Sequence, residues 1–209
     1  MIKAVGRSKS GRFPLGWGVW HKNGHMARPT TRRERPPLDR RKLEDLGLRY
    51  VERFATTRAK LRDYLRRKLR ERGWAGEGEP DLDAIAERFA ELGYIDDAAF
   101  ALSKARALAG RGYGKRRLID KLRVAGVGEA DSNDARAHAD EEAVASALRF
   151  AERRRLGPFA AAPLREPKDK EKALAAMVRA GHGFRLSKAV IGLPPRSQID
   201  LDQLREMLD

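Results

Sequence analysis

Residues 110–126, Gly-Arg-Gly-Tyr-Gly-Lys-Arg-Arg-Leu-Ile-Asp-Lys-Leu-Arg-Val-Ala-Gly, constrain the fold most, because the block recurs on both sides of itself. Shifted back by about 53 residues, Leu118, Lys121, Leu122, Arg123 and Gly126 fall on Leu65, Lys68, Leu69, Arg70 and Gly73. Shifted forward by about 71, Gly110, Gly112 and Leu122 fall on Gly181, Gly183 and Leu193, with Tyr113 on Phe184 and Arg117 on Lys188. Self-similarity of this kind implies one helical unit used three times, each copy burying its apolar face with the help of its neighbours.

The spacing of apolar residues agrees. Leu43, Leu46, Tyr50 and Phe54 share one helical face, followed by Leu61, Leu65 and Leu69, then Leu82, Ile85, Phe89 and Leu92. A second unit starts with Phe100, Ala107 and Leu108, continues through Leu118 and Leu122, and ends with Val144, Leu148 and Ala151. The third runs through Leu174, Met177 and Val178, then Leu186, Ala189 and Val190, and closes on Leu201, Leu204 and Leu208. All 10 prolines fall between these segments. Thr57, Asp81 and Asp96 stand where N-cap acceptors belong, and Gly73, Gly93 and Gly126 at helix ends. Asp140-Glu141-Glu142 is expected to open a helix that ends in Arg153-Arg154-Arg155. No stretch alternates as a strand would. The fold class is all-α: about nine helices in tandem three-helix repeats over 42–94, 95–156 and a degenerate 157–209. With 36% charged residues and a mean hydropathy of −0.65, the helices are expected to form an elongated array.

Residues 1–41 read as a disordered basic arm, rich in Gly, Pro and Arg without helical periodicity. Phe13, Trp17 and Trp20 are unusual there, and two accounts stand: translation starts at Met26 and residues 1–25 are a start-site error, or aromatics and cations touch single-stranded nucleic acid. No apolar run could span a bilayer, and the absence of cysteine excludes disulfides and thiolate sites, so a cytoplasmic protein is expected.

The net charge of +15 suggests a polyanionic partner, but its distribution is uneven. Thr57 to Gly73 and Ser103 to Arg123 carry about +6 to +7 each, whereas Gly76 to Leu102 carries about −7. Arg62, Arg66 and Arg70 recur every four residues beside the apolar row, with Arg67 among them, and the equivalent helix carries Lys115, Arg116, Arg117, Lys121 and Arg123. One such residue alone is a solvated helix face; two equivalent stripes point to phosphate or carboxylate pairing. Arg111, Tyr113 and Lys188 complete the candidate binding set. Tyr113 and Phe184 are expected to staple their turns to the core rather than to stack bases.

The glycine block follows a helix and lacks the Gly-Lys-Ser/Thr ending of a nucleotide loop, so it reads as an interhelical turn. Asp96-Asp97 has no His or Glu companion for hydrolytic work, and His21, His25, His138 and His182 have no metal spacing. No catalytic site, metal or cofactor is expected.

Gly93-Tyr94-Ile95-Asp96-Asp97-Ala98-Ala99-Phe100-Ala101, Gly112-Tyr113-Gly114, Leu118-Ile119-Asp120-Lys121-Leu122 and Ala125-Gly126-Val127 together resemble the core pattern of the RecX family of bacterial recombination regulators. The resemblance covers residues 43 to about 193. It departs at Lys115, where many relatives carry Pro, at Ser103, where Tyr is frequent, and at Gly192, which replaces the counterpart of Lys121. It implies a monomeric, non-enzymatic modulator that binds the groove of the RecA filament on single-stranded DNA. It further implies suppression of RecA ATPase, strand exchange and coprotease activity, in DNA repair and the SOS response, with weak direct DNA binding. The alternative from composition alone is a general helical nucleic-acid-binding or nucleoid-associated protein with no RecA partner.

Overall fold

The computed structural model describes residues 36–206. The arm up to position 35, including the Met26 question, and Leu208 lie outside them. Among the described residues there are ten α-helices and no strand: α1 (Arg40–Arg53), α2 (Arg58–Arg72), α3 (Leu82–Glu91), α4 (Asp97–Gly110), α5 (Lys115–Val124), α6 (Asn133–Glu141), α7 (Ala143–Arg154), α8 (Pro167–Arg179), α9 (Phe184–Gly192) and α10 (Leu201–Glu206). No helix among them is long and apolar enough to cross a membrane.

The helices surround three apolar clusters. Leu43 of α1, Leu61 and Leu65 of α2, and Ile85 and Phe89 of α3 form the first. Leu38 completes it, fully buried by extended pairing: its N–H donates to Gly73 O (3.0 Å) and its carbonyl accepts from Ala75 N (2.8 Å). The first apolar cluster therefore includes Leu38, which lies inside the expected arm. Two or three residues of extended backbone leave no periodic trace in a sequence.

The second cluster is built from small residues. Ala101, Ala105 and Leu108 of α4 meet Ala135 and Ala139 of α6, with Leu118 and Leu122 of α5 closing the side. Alanines at i, i+4 let two backbones approach closely, so α4 and α6 share the most extensive helix contact among the described residues. The buried face of α4 thus differs from the expected Phe100 and Ala107. Helix α6 was unforeseen, because Ala135 and Ala139 among acidic neighbours carry little hydropathy signal. Asp140 and Glu141 end α6 instead of opening α7, and Glu142 spans the junction, its carboxylate accepting from Arg149 at 2.7 Å.

With α6 completing the second unit, α7 belongs to the third cluster. Val144, Ala147, Phe150 and Ala151 of α7 pack on Met177 of α8, Leu186 and Val190 of α9, and Leu204 of α10. The apolar clusters thus divide α6 from α7, whereas the sequence expectation grouped α7 with the second repeat. Phe54 and Leu92, expected in the core, are half exposed because α1 and α3 stop just before them.

Thr57, Asp81 and Asp96 cap α2, α3 and α4 by accepting from the N–H three residues on. One of these caps, Thr57, also joins units. The Thr57 hydroxyl donates to Ala125 O, the C-terminal carbonyl of α5, at 2.6 Å in a buried setting. Next to it Arg58 reaches three acids: Nε to Asp97 (3.1 Å), one terminal nitrogen to Asp131 (2.6 Å) and the other to Glu87 (3.2 Å). The Arg58 N–H adds a further bond to Asp97, whose side chain is 3% exposed. The bond to Asp97 raises the Arg58 pKa, so this cation is committed to the fold.

The second joint has the same logic. Gly114 N and Arg116 N, at the start of α5, donate to Ala180 O (3.0 Å) and Gly181 O (3.2 Å) at the end of α8. Gly181 adopts φ +98, and a Cβ there would lie 2.5 Å from Arg117 N. Gly112 likewise has positive φ, and Gly114 and Gly183 are both N-caps, so the structural register between the glycine blocks is 69 residues rather than 71. Tyr113 accordingly matches His182, not Phe184. His182 is buried, and its Nε2 lies 3.2 Å from Gly112 O, to which it donates.

Replacing Asp97 with Ala leaves the Arg58 N–H without its acceptor and the guanidinium with only Asp131 and Glu87, and should cost about 1–3 kcal/mol in urea unfolding, with Asp97→Asn costing less because an acceptor remains for the Arg58 N–H. Desolvation holds the His182 pKa below the ordinary histidine value, outweighing the bond to Gly112. The unfolded chain therefore takes up the proton first, and this contribution to stability is lost as pH falls below about 6.5. Unfolding midpoints should drop between pH 7.5 and 5.5 by more in the native protein than in His182→Gln; equal drops would place the acid sensitivity elsewhere.

Candidate functional site

A cation is available to a partner only if no carboxylate of its own fold already holds it. On α2 the stripe is largely neutralised from within. Arg62 pairs with Asp83 of α3, Arg66 with Asp63 (2.6 Å), Arg67 with Glu71 (3.8 Å) and Lys68 with Glu71 (2.6 Å). Of the four arginines singled out there, only Arg70 has no partner among the described residues. Pairs on such exposed surfaces are each worth about 0–1 kcal/mol, so a polyanion could compete for them, at a cost.

The α5 stripe divides. Lys115 pairs with Asp140 (2.5 Å) and Arg123 with Asp120 (3.1 Å), whereas Arg116 and Lys121 are exposed and unpaired among the described residues. Lys188 on α9 is also unpaired and borders an apolar groove of about 550 Å³ beside Phe184.

Around Tyr113 the balance is different. The guanidinium carbons of Arg111, Arg117 and Arg153 lie 5.7, 5.3 and 5.8 Å from the centroid of its ring. None of the three pairs with a carboxylate among the described residues. The ring is half-buried and packs against both the second and the third apolar clusters, so the stapling role expected for Tyr113 is present. Phe184, expected to act alike, is 58% exposed at the start of α9. The ring's negative faces partly offset the mutual repulsion of three cations, with each contact worth about 0.5–1 kcal/mol at such exposure. Three converging guanidinium groups carry about fifteen N–H donors, none of them paired with a carboxylate among the described residues.

Arg153 was missed as a site residue. It belongs to α7, whose last turn is Arg153-Arg154 and whose C-cap, Arg155, has φ 54 and ψ 51. In sequence that run reads as a helix end complementing its dipole, and only the packing of α7 on the second joint brings it to Tyr113. Among the described residues no group of three or more metal-ligating side chains is assembled.

Comparison with known proteins places this architecture. The regulatory protein RecX of Myxococcus xanthus (strain DK1622) is 32% identical over 181 residues, which span 80% of this chain and 96% of the relative. The regulatory protein RecX of Thermobifida fusca (strain YX) is 38% identical over 107 residues, 48% of this chain and 53% of that protein. No family model matches. Among solved structures, RecX from Lactobacillus salivarius superposes with a TM-score of 0.53 at 19% identity, over 72% of this chain and 93% of that one. A second crystal structure of a regulatory protein RecX gives 0.50 at 22% identity, over 72% and 68%. At these identities the superpositions speak for the fold.

Proposed function

Since the chain belongs to the RecX family of regulatory proteins, we propose that it is a non-catalytic modulator that binds the RecA filament on single-stranded DNA and lowers RecA ATPase, strand exchange and coprotease activity. The observation that carries this reading is the uncompensated arginine cluster on Tyr113. A groove formed by recombinase and DNA presents both carboxylates and phosphates, and guanidinium groups pair with either in bidentate fashion. Arg116 and Lys121 extend the same surface along α5, while the self-paired α2 stripe takes a lesser part. Binding requires no chemistry from this protein: occupying the groove opposes the movements that hydrolysis and strand exchange demand.

Titrating the protein into a DNA-dependent RecA ATPase assay should inhibit at substoichiometric ratios. Unchanged hydrolysis with binding to bare DNA only would favour the general nucleic-acid-binding alternative. Replacing Arg111, Arg117 and Arg153 together with Ala should weaken filament binding at least tenfold and flatten its salt dependence, since contacts to single strands contribute about 0.7 each to the log–log slope. The matched Arg62, Arg66 and Arg67 triple should change affinity less than about threefold. Circular dichroism would establish that both variants are folded, and the reverse ranking would move the contact surface to α2.

A further inference from the structure

The filament surface leaves one face of the third unit unused. There α8, α9 and the segments before and after them border the apolar groove of about 550 Å³, lined by Leu174, Ile191 and Leu193 and by Pro163, Pro194 and Pro195. The two flanking segments are tied to each other by Arg196 N, which donates to Pro158 O at 2.8 Å. Gly157, at φ +53, sits so close to α9 that a Cβ would lie 2.1 Å from Val190 O. With its margins fixed in this way and three prolines in the lining, the groove is preformed, which lowers the ordering cost of filling it.

Phe184, also in the lining, is the first residue of α9 after its N-cap Gly183, and it is exposed; the same place in α5, after Gly114, is taken by Lys115. An exposed aromatic continuous with an apolar groove marks a contact surface. Lys170 and Lys188 line the groove as well, and neither pairs with a carboxylate among the described residues. Glu171, the one acid in the lining, pairs with neither of them. The surrounding stretch is basic: residues 165–188 hold seven Lys or Arg and three Asp or Glu, and among them only Lys172 and Asp169 form an ion pair (3.2 Å). Arg185, next to Phe184, is exposed.

We propose that this groove docks an acidic amphipathic segment of a protein partner, with its apolar side chains between α8 and α9 and its carboxylates on Lys170 and Lys188. Several unanswered cations around an apolar lining call for an occupant with several acids, which a small apolar acid with one carboxylate does not supply. Stacked bases fit less well, because Phe184 is the one aromatic residue in a lining otherwise dominated by aliphatic residues and proline. The mode is that of a helix in a groove, in which anchors at i, i+3 or i+4 supply the burial and flanking charges set the register. None of the lining residues belongs to the cluster on Tyr113, so this surface is additional to the one that carries the proposed function.

Panning a library of random peptides of about 16 residues, roughly four helical turns, on the immobilised full chain tests the site without presupposing a partner. Selected peptides should combine apolar residues at helical spacing with a clear excess of Asp and Glu. Made synthetically with a fluorescein label, they should bind Phe184→Ser, and separately Lys170→Glu/Lys188→Glu, about tenfold or more weakly than the native protein, both variants being folded by circular dichroism. The proposal fails if no peptide is selected, if the selected peptides lack the acidic excess, or if either folded variant binds them as the native protein does. Two other occupants have their own signatures, and each overturns it. A dimer in sedimentation equilibrium that Phe184→Ser dissociates gives the groove to a second copy of the chain, and displacement of the selected peptides by decathymidylate gives it to single-stranded nucleic acid. RecA is absent throughout, so no outcome bears on filament inhibition.

Discussion

The structure depends on how it disposes of helix ends. An α-helix leaves its first N–H groups and last carbonyls unpaired, and in a stack of short helices many of these ends face other helices rather than water. Here ends from different units satisfy each other. The start of α2 meets the end of α5 through Thr57 and Ala125, and the start of α5 meets the end of α8 through Gly114, Arg116, Ala180 and Gly181. Each contact sets the positive pole of one helix against the negative pole of another, so electrostatics and hydrogen bonding act together. Helix α5 takes part at both of its ends, which makes it the element through which the three clusters are held in register.

Such end-to-end contact demands that nothing protrude from the meeting backbones. At Gly114 a Cβ would come within 2.4 Å of Gly181 O, and at Gly126 within 2.2 Å of the Ala59 methyl. The recurrence of the glycine block therefore follows from assembly geometry as well as from turn formation. It also explains why the third copy kept its glycines while losing its charges: Gly181 and His182 are buried in the joint, whereas the positions that bear cations in α5 are exposed.

What the sequence revealed depended on side-chain size. Large apolar residues at helical spacing marked α1, α2, α3, α5, α8 and α9, and the caps Thr57, Asp81 and Asp96 marked the starts of α2, α3 and α4. Helix α6 and the buried face of α4 escaped because alanine–alanine packing creates close contact with almost no hydropathy contrast. The missed α6 in turn placed α7 in the wrong unit. The register error of two residues arose because Tyr113 resembles Phe184 chemically, although its structural counterpart is His182. Asp97 was legible only as part of a family pattern; its physical role, receiving Arg58 from another unit, requires two segments 39 positions apart.

Charge was the least legible property, since a sequence counts cations without showing which are already answered. Segments of about +6 and +7 looked equivalent along the chain. Folding separates them: α2 lies beside acids of its own turns and of α3, while the start of α5 lies beside the basic end of α7. The result is that positive potential collects at the second joint although the first has as many cations in sequence. A helix stack whose second joint is made of bare backbone leaves its flanks there free to carry charge, and the same glycines that bring α5 against α8 also bring Arg117 and Arg153 to one ring. The surface offered to a partner is thus a by-product of the constraint that holds the units together.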